Sequence, residues 1–335
     1  MKAVAYRQPL PIAHAESLLD LALPDPQAAG RDLLVRVEAV SVNPVDTKVR
    51  AGSAPAAGQA KVIGWDAVGT VEAVGDQVTF FKPGDRVWYA GDITRPGSNA
   101  ELQLVDERIV GHAPRSIPAA QAAALPLTAI TAWELLFDRL RVAPGTEGSL
   151  LIIGAAGGVG SILTQLARRL TKLTVVGTAS RPETQAWLRE LGAHHVIDHH
   201  QPLLPQLQAA GVPQVNAVAG LTHTQSYYTQ IVEALAPQGQ LALIDDFKEP
   251  LDVTAMKRKS LSLHWELMFT RPMMQTPDMH KQHELLDEVA RLIDAGTLRS
   301  TLGEHFGTIN AANLKRAHAF IESGKARGKV VLESF

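Results

Sequence analysis

The chain has no cysteine among its 335 residues, which excludes disulfide bridges, thiolate zinc sites and a thiol nucleophile. It also lacks an excess of one charge, because 32 Lys and Arg stand against 34 Asp and Glu without a basic block. Nothing in the charge pattern therefore favours a nucleic acid or an anionic membrane surface as a partner.

Long hydrophobic runs are absent as well. No uninterrupted apolar stretch is long enough to span a bilayer, and residues 1–6 follow the pattern of a strand rather than that of a signal peptide. We therefore expect a cytoplasmic protein without a membrane segment. Its 46% hydrophobic and 20% charged residues are sufficient for sizeable cores, and its length allows two domains.

Among the features that are present, the stretch Leu150-Leu-Ile-Ile-Gly-Ala-Ala-Gly-Gly-Val-Gly-Ser161 is the most informative. Residues 150–153 are continuously apolar and predict a buried strand, and helical spacing begins at Ser161. The glycines between them allow a tight turn and a close approach of the backbone to a ligand. Because such a turn directs free N–H groups and the helix dipole at an anion, the stretch predicts a pyrophosphate site.

The next predicted strand carries the signal for cofactor choice. It is followed by Thr178-Ala-Ser-Arg-Pro182, at the distance, roughly 20 residues, where an acidic residue would bind the ribose 2′-hydroxyl of NAD. Ala179 stands at that position, and Ser180 and Arg181 can hydrogen-bond to a 2′-phosphate. The sequence therefore favours NADPH over NADH, with an ordinary solvated loop arginine as the alternative.

Two kinds of pattern divide the chain. Residues 1–124 hold short β-like runs separated by Gly, Pro and Asp turn signals, whereas residues 125–268 alternate strands with amphipathic helices. The tail, 269–335, contains two helices and a last strand. The pattern predicts an α/β fold in which a doubly wound parallel sheet is inserted into a β-rich domain. The strands predicted in the inserted domain are 150–153, 174–177, 195–197, 215–219, 240–244 and 260–264.

Taken together, the motifs resemble the medium-chain dehydrogenase/reductase superfamily, and within it the zinc-free quinone oxidoreductase-like branch. The resemblance covers essentially the full length. It implies a GroES-like catalytic domain, residues 1–124 plus 269–335, and a Rossmann NADP-binding domain, residues 125–268. The motifs that carry it are Ser41-Val-Asn-Pro-Val-Asp46, Ile63-Gly-Trp-Asp-Ala-Val-Gly69, Val74-Gly-Asp-Gln-Val78, Lys82-Pro-Gly-Asp-Arg-Val87, Ala155-Ala-Gly-Gly-Val-Gly-Ser161 and Gly328-Lys-Val-Val-Leu332.

The resemblance also locates the positions of a catalytic zinc site. Zinc-bearing members carry a cysteine at the position of Asn43, a histidine at that of Trp65 and a cysteine near Leu127. An amide, an indole and an alkyl group cannot form a tetrahedral zinc site, so no metal is expected. Because alcohol oxidation in the family uses zinc as a Lewis acid, the resemblance implies hydride transfer from NADPH to a quinone or an α,β-unsaturated carbonyl.

Two other functions remain open. One is a catalytically weak NADPH-binding protein. The other is an alcohol or aldehyde dehydrogenase-type activity, with a different metal site drawn from Asp46, Asp66 and a histidine.

By resemblance, cofactor-binding residues can be assigned position by position. Thr131 matches a threonine beside the nicotinamide, with an ordinary helix-interior threonine as the alternative. Lys329 matches a basic residue that reaches the cofactor phosphates, with a solvated lysine as the alternative. The predicted set is Thr131, Ala156, Gly157, Gly158, Val159, Ser180, Arg181, Gly220, Leu221, Ile244, Asp245 and Lys329.

The acceptor site is predicted from fewer signals. Asn43, Asp46 and Lys48 are the catalytic candidates, and Trp65, Tyr89 and Arg95 the candidates for the substrate pocket. The Asn43 amide is expected to donate a hydrogen bond to the substrate carbonyl, unless it only shapes the Asn-Pro turn. Related reductases often carry a tyrosine in place of Lys48, which leaves lysine or solvent as the proton donor.

Two further segments carry a pattern of their own. The histidines within residues 194–200 suggest a metal site by number, but neighbours on a strand point to opposite faces, so exposed histidines are expected. The β-rich run 259–265 is expected to pair with its copy across a two-fold axis, which predicts a homodimer.

Overall fold

The computed structural model describes all 335 residues. The chain leaves a first unit, Met1–Ile130 and Phe269–Phe335, once to build a second, Thr131–Met268. The sequence placed the first division after residue 124 and the second after 268. The first falls later because a helix that begins at Pro126 is tied to the first unit, where the Leu127 N–H donates to Asp66 Oδ1 at 2.7 Å.

The strands are β1 Lys2–Tyr6, β2 Leu19–Ala22, β3 Asp32–Val42, β4 Lys61–Val62, β5 Ala67–Val74, β6 Arg86–Tyr89, β7 Leu102–Asp106, β8 Val110–His112, β9 Ser149–Ile153, β10 Thr174–Thr178, β11 His195–Ile197, β12 Val215–Gly220, β13 Leu235–Leu243, β14 Ser262–Trp265, β15 Leu302–His305 and β16 Lys329–Glu333. The α-helices are α1 Pro44–Gly52, α2 Ala119–Ala123, α3 Pro126–Trp133, α4 Gly158–Leu170, α5 Pro182–Leu191, α6 Leu203–Ala209, α7 Thr224–Ala234, α8 Thr270–Met274, α9 Lys281–Asp294 and α10 Ala311–Glu322. A π-helix covers Glu134–Arg139, and 3₁₀ turns cover Glu107–Ile109 and Val253–Lys259.

The first unit is built around antiparallel β-structure. Its main sheet has the order β15-β16-β3-β5-β6-β8 with β7 also paired to β3, and a smaller sheet has the order β2-β1-β4. Strand β3 is the longest and pairs with three others. This is the β-rich, GroES-like part of the predicted fold.

The second unit is a Rossmann domain. Its six strands have the order β11-β10-β9-β12-β13-β14 and every pairing is parallel. This is the doubly wound order in which two halves meet at the first strand. Strand β9 lies at the centre with all five residues buried, because helices cover both faces of such a sheet.

Two strands begin at a different residue from the one predicted, in each case for a local reason. Strand β13 begins at Leu235 rather than 240, and its turn-like residues Gln238 (φ 65°) and Gly239 made this part resemble a loop. Strand β14 begins at Ser262 rather than 260, because Ser260 is left-handed (φ 52°) and ends the preceding 3₁₀ turn.

One helical run is longer and more apolar than the sequence analysis allowed. Residues Ala119–Arg139 reach the length and mean hydropathy, 1.2, of a membrane-spanning helix. However, 83% of its most apolar window is buried inside the structure, as in the core helix of a water-soluble domain. A single such helix is weak support for a membrane span.

Candidate functional site

The start of α4 is built to receive an anion. The turn after β9 leads to the helix N-cap at Gly157, and Ser161 N–H is the first to bond back, to Gly157 O at 2.9 Å. The N–H groups of Gly158, Val159 and Gly160 have no hydrogen-bond acceptor in the structure. Free N–H groups at the positive end of a helix form a phosphate-binding site. The predicted residues Ala156–Val159 all lie here and are partly exposed.

Glycines make this turn possible. Gly154 has φ +80°, and a Cβ on Gly160 would lie 2.4 Å from the carbonyl oxygen of Ala155, so Gly160 allows α4 to pack against the end of β9. A Cβ on Gly157 would meet nothing closer than 3.5 Å. Gly160 is therefore required for packing, whereas Gly157 leaves open space in front of the helix.

The segment that follows β10 holds the residues predicted to bind a 2′-phosphate. Ala179 is buried, and Ser180 and Arg181 lead directly into α5, with Arg181 as its N-cap. The Arg181 Nε lies 3.2 Å from an oxygen of Glu183, and both side chains are about half exposed. The strand end itself carries no carboxylate, and the nearest acid in the segment, Glu183, pairs with Arg181.

The ends of β12 and β13 lie side by side. Ile244 N–H donates to Gly220 O at 3.2 Å, which aligns the predicted pairs Gly220–Leu221 and Ile244–Asp245. The Asp245 carboxylate accepts the Thr224 N–H at 2.9 Å and so caps α7. This oxygen of Asp245 has a structural partner that the sequence analysis did not foresee. Thr131, on α3, is 5% exposed.

The three positions of a zinc site hold side chains that do not fit a metal. Asn43 is buried and hydrogen-bonded, Trp65 donates its ring N–H to Asp92 O at 3.2 Å, and Leu127 offers only an alkyl group. Zinc needs several imidazole, thiolate or carboxylate donors converging on it. No group of three such donors occurs anywhere in the structure.

The predicted role of Asn43 as a donor to the substrate is wrong in this geometry. Its amide N–H₂ group donates to Asp66 Oδ2 at 2.9 Å and to Trp65 O at 3.2 Å, and the residue is 1% exposed. Its backbone N–H donates to Asp46 Oδ2 at 2.7 Å, so the two residues form the capping box of α1. Asn43 and Asp46 thus hold the start of α1, which is the alternative that the Asn-Pro turn suggested.

The alternative of a solvated Lys329 is wrong, and its contact with the cofactor phosphates stays a prediction. Only 3% of the residue is accessible. Its ammonium donates to Asp66 Oδ2 at 2.8 Å and to Asn43 Oδ1. Strand pairing explains the contact, because Val330 on β16 lies opposite Val42 on β3 and Lys329 therefore faces the residue after β3.

Asp66 is the centre of this arrangement, which we call the Asp66 cluster: Asn43, Asp46, Asp66 and Lys329. Burial raises the pKa of Asp66, while Lys329 and the Leu127 N–H oppose the increase. Burial also raises the pKa of Asp46 to about 7, against the Asn43 N–H and Lys329. One oxygen of Asp46 has no partner. The cluster thus pairs one buried cation with two buried acids.

The predicted substrate pocket does not form from Trp65, Tyr89 and Arg95 together. Trp65 and Tyr89 are fully buried, and burial raises the pKa of the unpartnered Tyr89 hydroxyl. Arg95 makes two 2.8 Å bonds to Asp32 and lines a cavity of about 510 Å³ in the first unit, which the two aromatic residues do not line. Lys48 is exposed on α1.

The histidines after α5 have separate environments. His194 accepts the Val175 N–H at 2.9 Å, whereas the rings of His199 and His200 pack against each other at 4.5 Å. They are exposed or half-buried rather than uniformly exposed.

Asp66 is the functional candidate whose role the sequence did not reveal. Its position in Ile63-Gly-Trp-Asp66, next to a former zinc-ligand position, was the only available signal. Its partners Asn43, Leu127 and Lys329 are too distant along the chain for spacing to identify them.

Comparison with known proteins agrees with this architecture. The model of the alcohol dehydrogenase GroES-like domain matches residues 29–115, and that of the zinc-binding dehydrogenases matches residues 191–332. A zinc-type alcohol dehydrogenase-like protein from Staphylococcus aureus is 41% identical over 99% of both chains. A quinone oxidoreductase from Pseudomonas aeruginosa is 33% identical, covering 90% of this chain and 91% of its own.

A solved structure is similar over the whole chain. It is a Rhizobium etli protein that is classed with the zinc-dependent alcohol dehydrogenases, with 56% identity, a TM-score of 0.96, and coverage of 100% of this chain and 98% of its own. The names of the Staphylococcus and Rhizobium proteins mention zinc, whereas this chain has no zinc ligand at Asn43, Trp65 or Leu127.

Proposed function

The chain belongs to the medium-chain dehydrogenase/reductase superfamily, in its quinone oxidoreductase-like branch, and we propose that it transfers hydride from NADPH to a quinone or an α,β-unsaturated carbonyl without zinc. It is an oxidoreductase of this superfamily, whose members use nicotinamide cofactors.

The observation that carries the proposal is the set of three free N–H groups at the start of α4. They follow a fully buried central strand in a 3-2-1-4-5-6 sheet, which is where a dinucleotide pyrophosphate binds. Ser180 and Arg181 then stand at the end of the neighbouring strand, where a 2′-phosphate requires donors and a positive charge. NADPH, when bound, supplies the hydride.

The acceptor class follows from the chemistry of the Asp66 cluster. The positive charge beside Asp66 is the Lys329 ammonium, which a buried acid and an amide already bind. No side chain at these positions can polarise an alcohol oxygen as a Lewis acid does. An acceptor that is already electron-poor requires only alignment and a proton, so a quinone or an enone is the suitable class.

Reduction of the acceptor requires a proton as well as a hydride, and residues of the chain can be assigned to this proton transfer. Hydride adds to one atom of the acceptor, the displaced electron pair moves to its oxygen, and that oxygen or the adjacent carbon takes a proton. Lys48 is the exposed proton donor nearest in sequence to the Asp66 cluster, and we assign delivery of the proton to the Lys48 ammonium or to solvent. Asn43 and Asp46 act as positioning residues because they fix the start of α1 on which Lys48 lies.

Assembly and location complete the proposal. Strand β14 is the outermost strand of its sheet, and Trp265 and Leu267 beside it are about half exposed. Pairing with a second copy would cover this edge, so we propose a homodimer. We also propose a cytoplasmic location and no nucleic-acid or membrane partner.

A reductase screen tests the function. Purified protein, with its metal content measured, is offered NADPH or NADH and three acceptor types: quinones, enones and aldehydes. We expect NADPH oxidation with quinones or enones at a zinc content well below one atom per chain. Binding of NADPH without turnover would favour a cofactor-binding protein, and activity that requires added zinc would overturn the proposed mechanism.

A further inference from the structure

The first unit contains a cavity that the proposed function does not use. Its volume is about 510 Å³, which lies within the range of small-molecule sites, roughly 300–1,000 Å³. No residue of the Asp66 cluster lines this cavity, and Arg95 is the only candidate for the substrate pocket that does. The cavity is therefore distinct from the two sites that the sequence predicted in this unit.

Most of the cavity wall is apolar and consists of small or rigid residues. Four alanines and four prolines are among the 19 residues that line it. Ala60, Val62 and Ala100 also belong to the apolar cluster on the small sheet β2-β1-β4. Because an alanine side chain ends at Cβ, this part of the cluster leaves room beside it. An apolar ligand of suitable size would remove this surface from water, which is favourable.

One wall of the cavity is held in shape by its own hydrogen bonds. The Asp92 carboxylate accepts both the backbone N–H and the hydroxyl of Thr94, at 2.8 and 2.7 Å. The next residue, Arg95, is fixed to Asp32 by its two 2.8 Å bonds. A ligand would therefore meet a wall that is already ordered, and little of its binding free energy would be spent on ordering the protein.

The charges at the cavity favour an anion. Lys61 and Arg95 line it, whereas no Asp or Glu does. Asp32 neutralises Arg95, but the half-buried Lys61 has only the Ser53 hydroxyl as a partner of its ammonium, at 3.1 Å. A cation that is partly removed from water without an acid beside it is unfavourable, and a carboxylate would offset this cost.

We propose that this cavity binds a small, mainly apolar molecule that carries one carboxylate group. The carboxylate accepts a hydrogen bond from the Lys61 ammonium, and the apolar part lies against the alanines and prolines of the wall. An uncharged molecule of the same shape lacks the ion pair and binds more weakly. Since every lining residue belongs to the first unit, binding requires neither NADPH nor the proposed reductase activity.

Three probes of similar size test the charge of the ligand: benzoate, benzamide and toluene. Their Kd values are measured by ligand-observed NMR on the full chain without NADPH. We expect benzoate to bind at least about tenfold more tightly than benzamide, as for a hydrogen bond between charged groups. In Lys61→Met this advantage should disappear while the Kd of toluene stays the same. Lys82→Met removes an exposed lysine of the same unit, and this control should bind all three probes like the wild type.

A second set of variants tests whether the probes bind in the cavity. Ala60→Leu adds a larger side chain to the wall and should weaken the binding of benzoate and of toluene by at least about tenfold. Ala57→Leu is the matched control, because Ala57 is exposed in the same loop and does not line the cavity. Ala56→Leu, at another lining position, provides a second variant if Ala60→Leu folds poorly, as its melting temperature would show.

The possible outcomes are distinguishable. No binding of benzoate, equal affinities for benzoate and benzamide, or benzoate binding that Lys61→Met leaves unchanged would overturn the inference. Binding that neither Ala60→Leu nor Ala56→Leu weakens would overturn it as well. The expected responses in a protein that does not oxidise NADPH with any acceptor would retain the cavity site and reject the proposed function.

Discussion

Removing the charge of Lys329 is the sharpest perturbation of the Asp66 cluster. In Lys329→Met the side chain keeps its length, but Asp66, fully buried, loses a cation at 2.8 Å. At that distance two unit charges interact with about 6 kcal/mol at an effective dielectric constant of 20. Breaking one partner of a buried pair costs about 3–5 kcal/mol after relaxation. We therefore expect the first unit to lose stability by that amount.

Urea unfolding followed by tryptophan fluorescence provides the assay, because Trp65 and Trp88 are both fully buried in the first unit. Lys82→Met removes an exposed lysine of the same unit and should change stability by less than about 0.5 kcal/mol. The double variant Asp66→Asn with Lys329→Met removes both charges and should recover at least about 2 kcal/mol of the loss. A Lys329→Met protein as stable as Lys82→Met, or a double variant no better than the single one, would refute the reasoning.

Three other predictions follow from the same structure. Arg181→Ala should weaken NADPH binding by roughly 1.5–3 kcal/mol and leave NADH binding nearly unchanged, as measured by titration calorimetry. Equal losses for the two cofactors would contradict a 2′-phosphate role. As the control, Glu183→Gln should not weaken NADPH binding. Burial raises the pKa of Asp46 to about 7, so its ionisation destabilises the fold as the pH rises from 4 to 7. Over that range the free energy of unfolding of Asp46→Asn should gain up to about 4 kcal/mol relative to that of the wild type. A difference that stays constant with pH in unfolding measurements would contradict this. Light scattering at micromolar concentration should give twice the 36.0 kDa chain mass, and a monomeric mass would count against pairing through β14.

The Rossmann unit was predictable because its signals are local. The apolar run ending at Ile153, the glycines after it and the helical spacing from Ser161 each lie within one turn or strand. The same holds for Arg181, which directly follows its strand. The predicted α/β fold, with a parallel sheet inserted into a β-rich domain, is confirmed by the strand orders of the two units.

The Asp66 cluster was not predictable, because it depends on how distant strands pair. Lys329 meets Asn43 only because β16 lies against β3, and a motif alone could not show whether its ammonium faces a phosphate or a buried acid. The amide N–H₂ group of Asn43 likewise donates its hydrogen bonds to Asp66 and to the Trp65 carbonyl. Sequence identified residues that carry chemistry; their hydrogen-bond partners required the tertiary structure.

Hydride transfer without metal is the central claim, and isotope transfer tests it most directly. Protein treated with EDTA, with zinc measured on the same sample, is incubated with an enone acceptor and NADPH that carries deuterium at both C4 positions of the nicotinamide. We predict that the reduced product carries one deuterium on its β-carbon and that the rate is independent of added Zn²⁺. A product without deuterium, or turnover that appears only after Zn²⁺ is added, would contradict the proposed function.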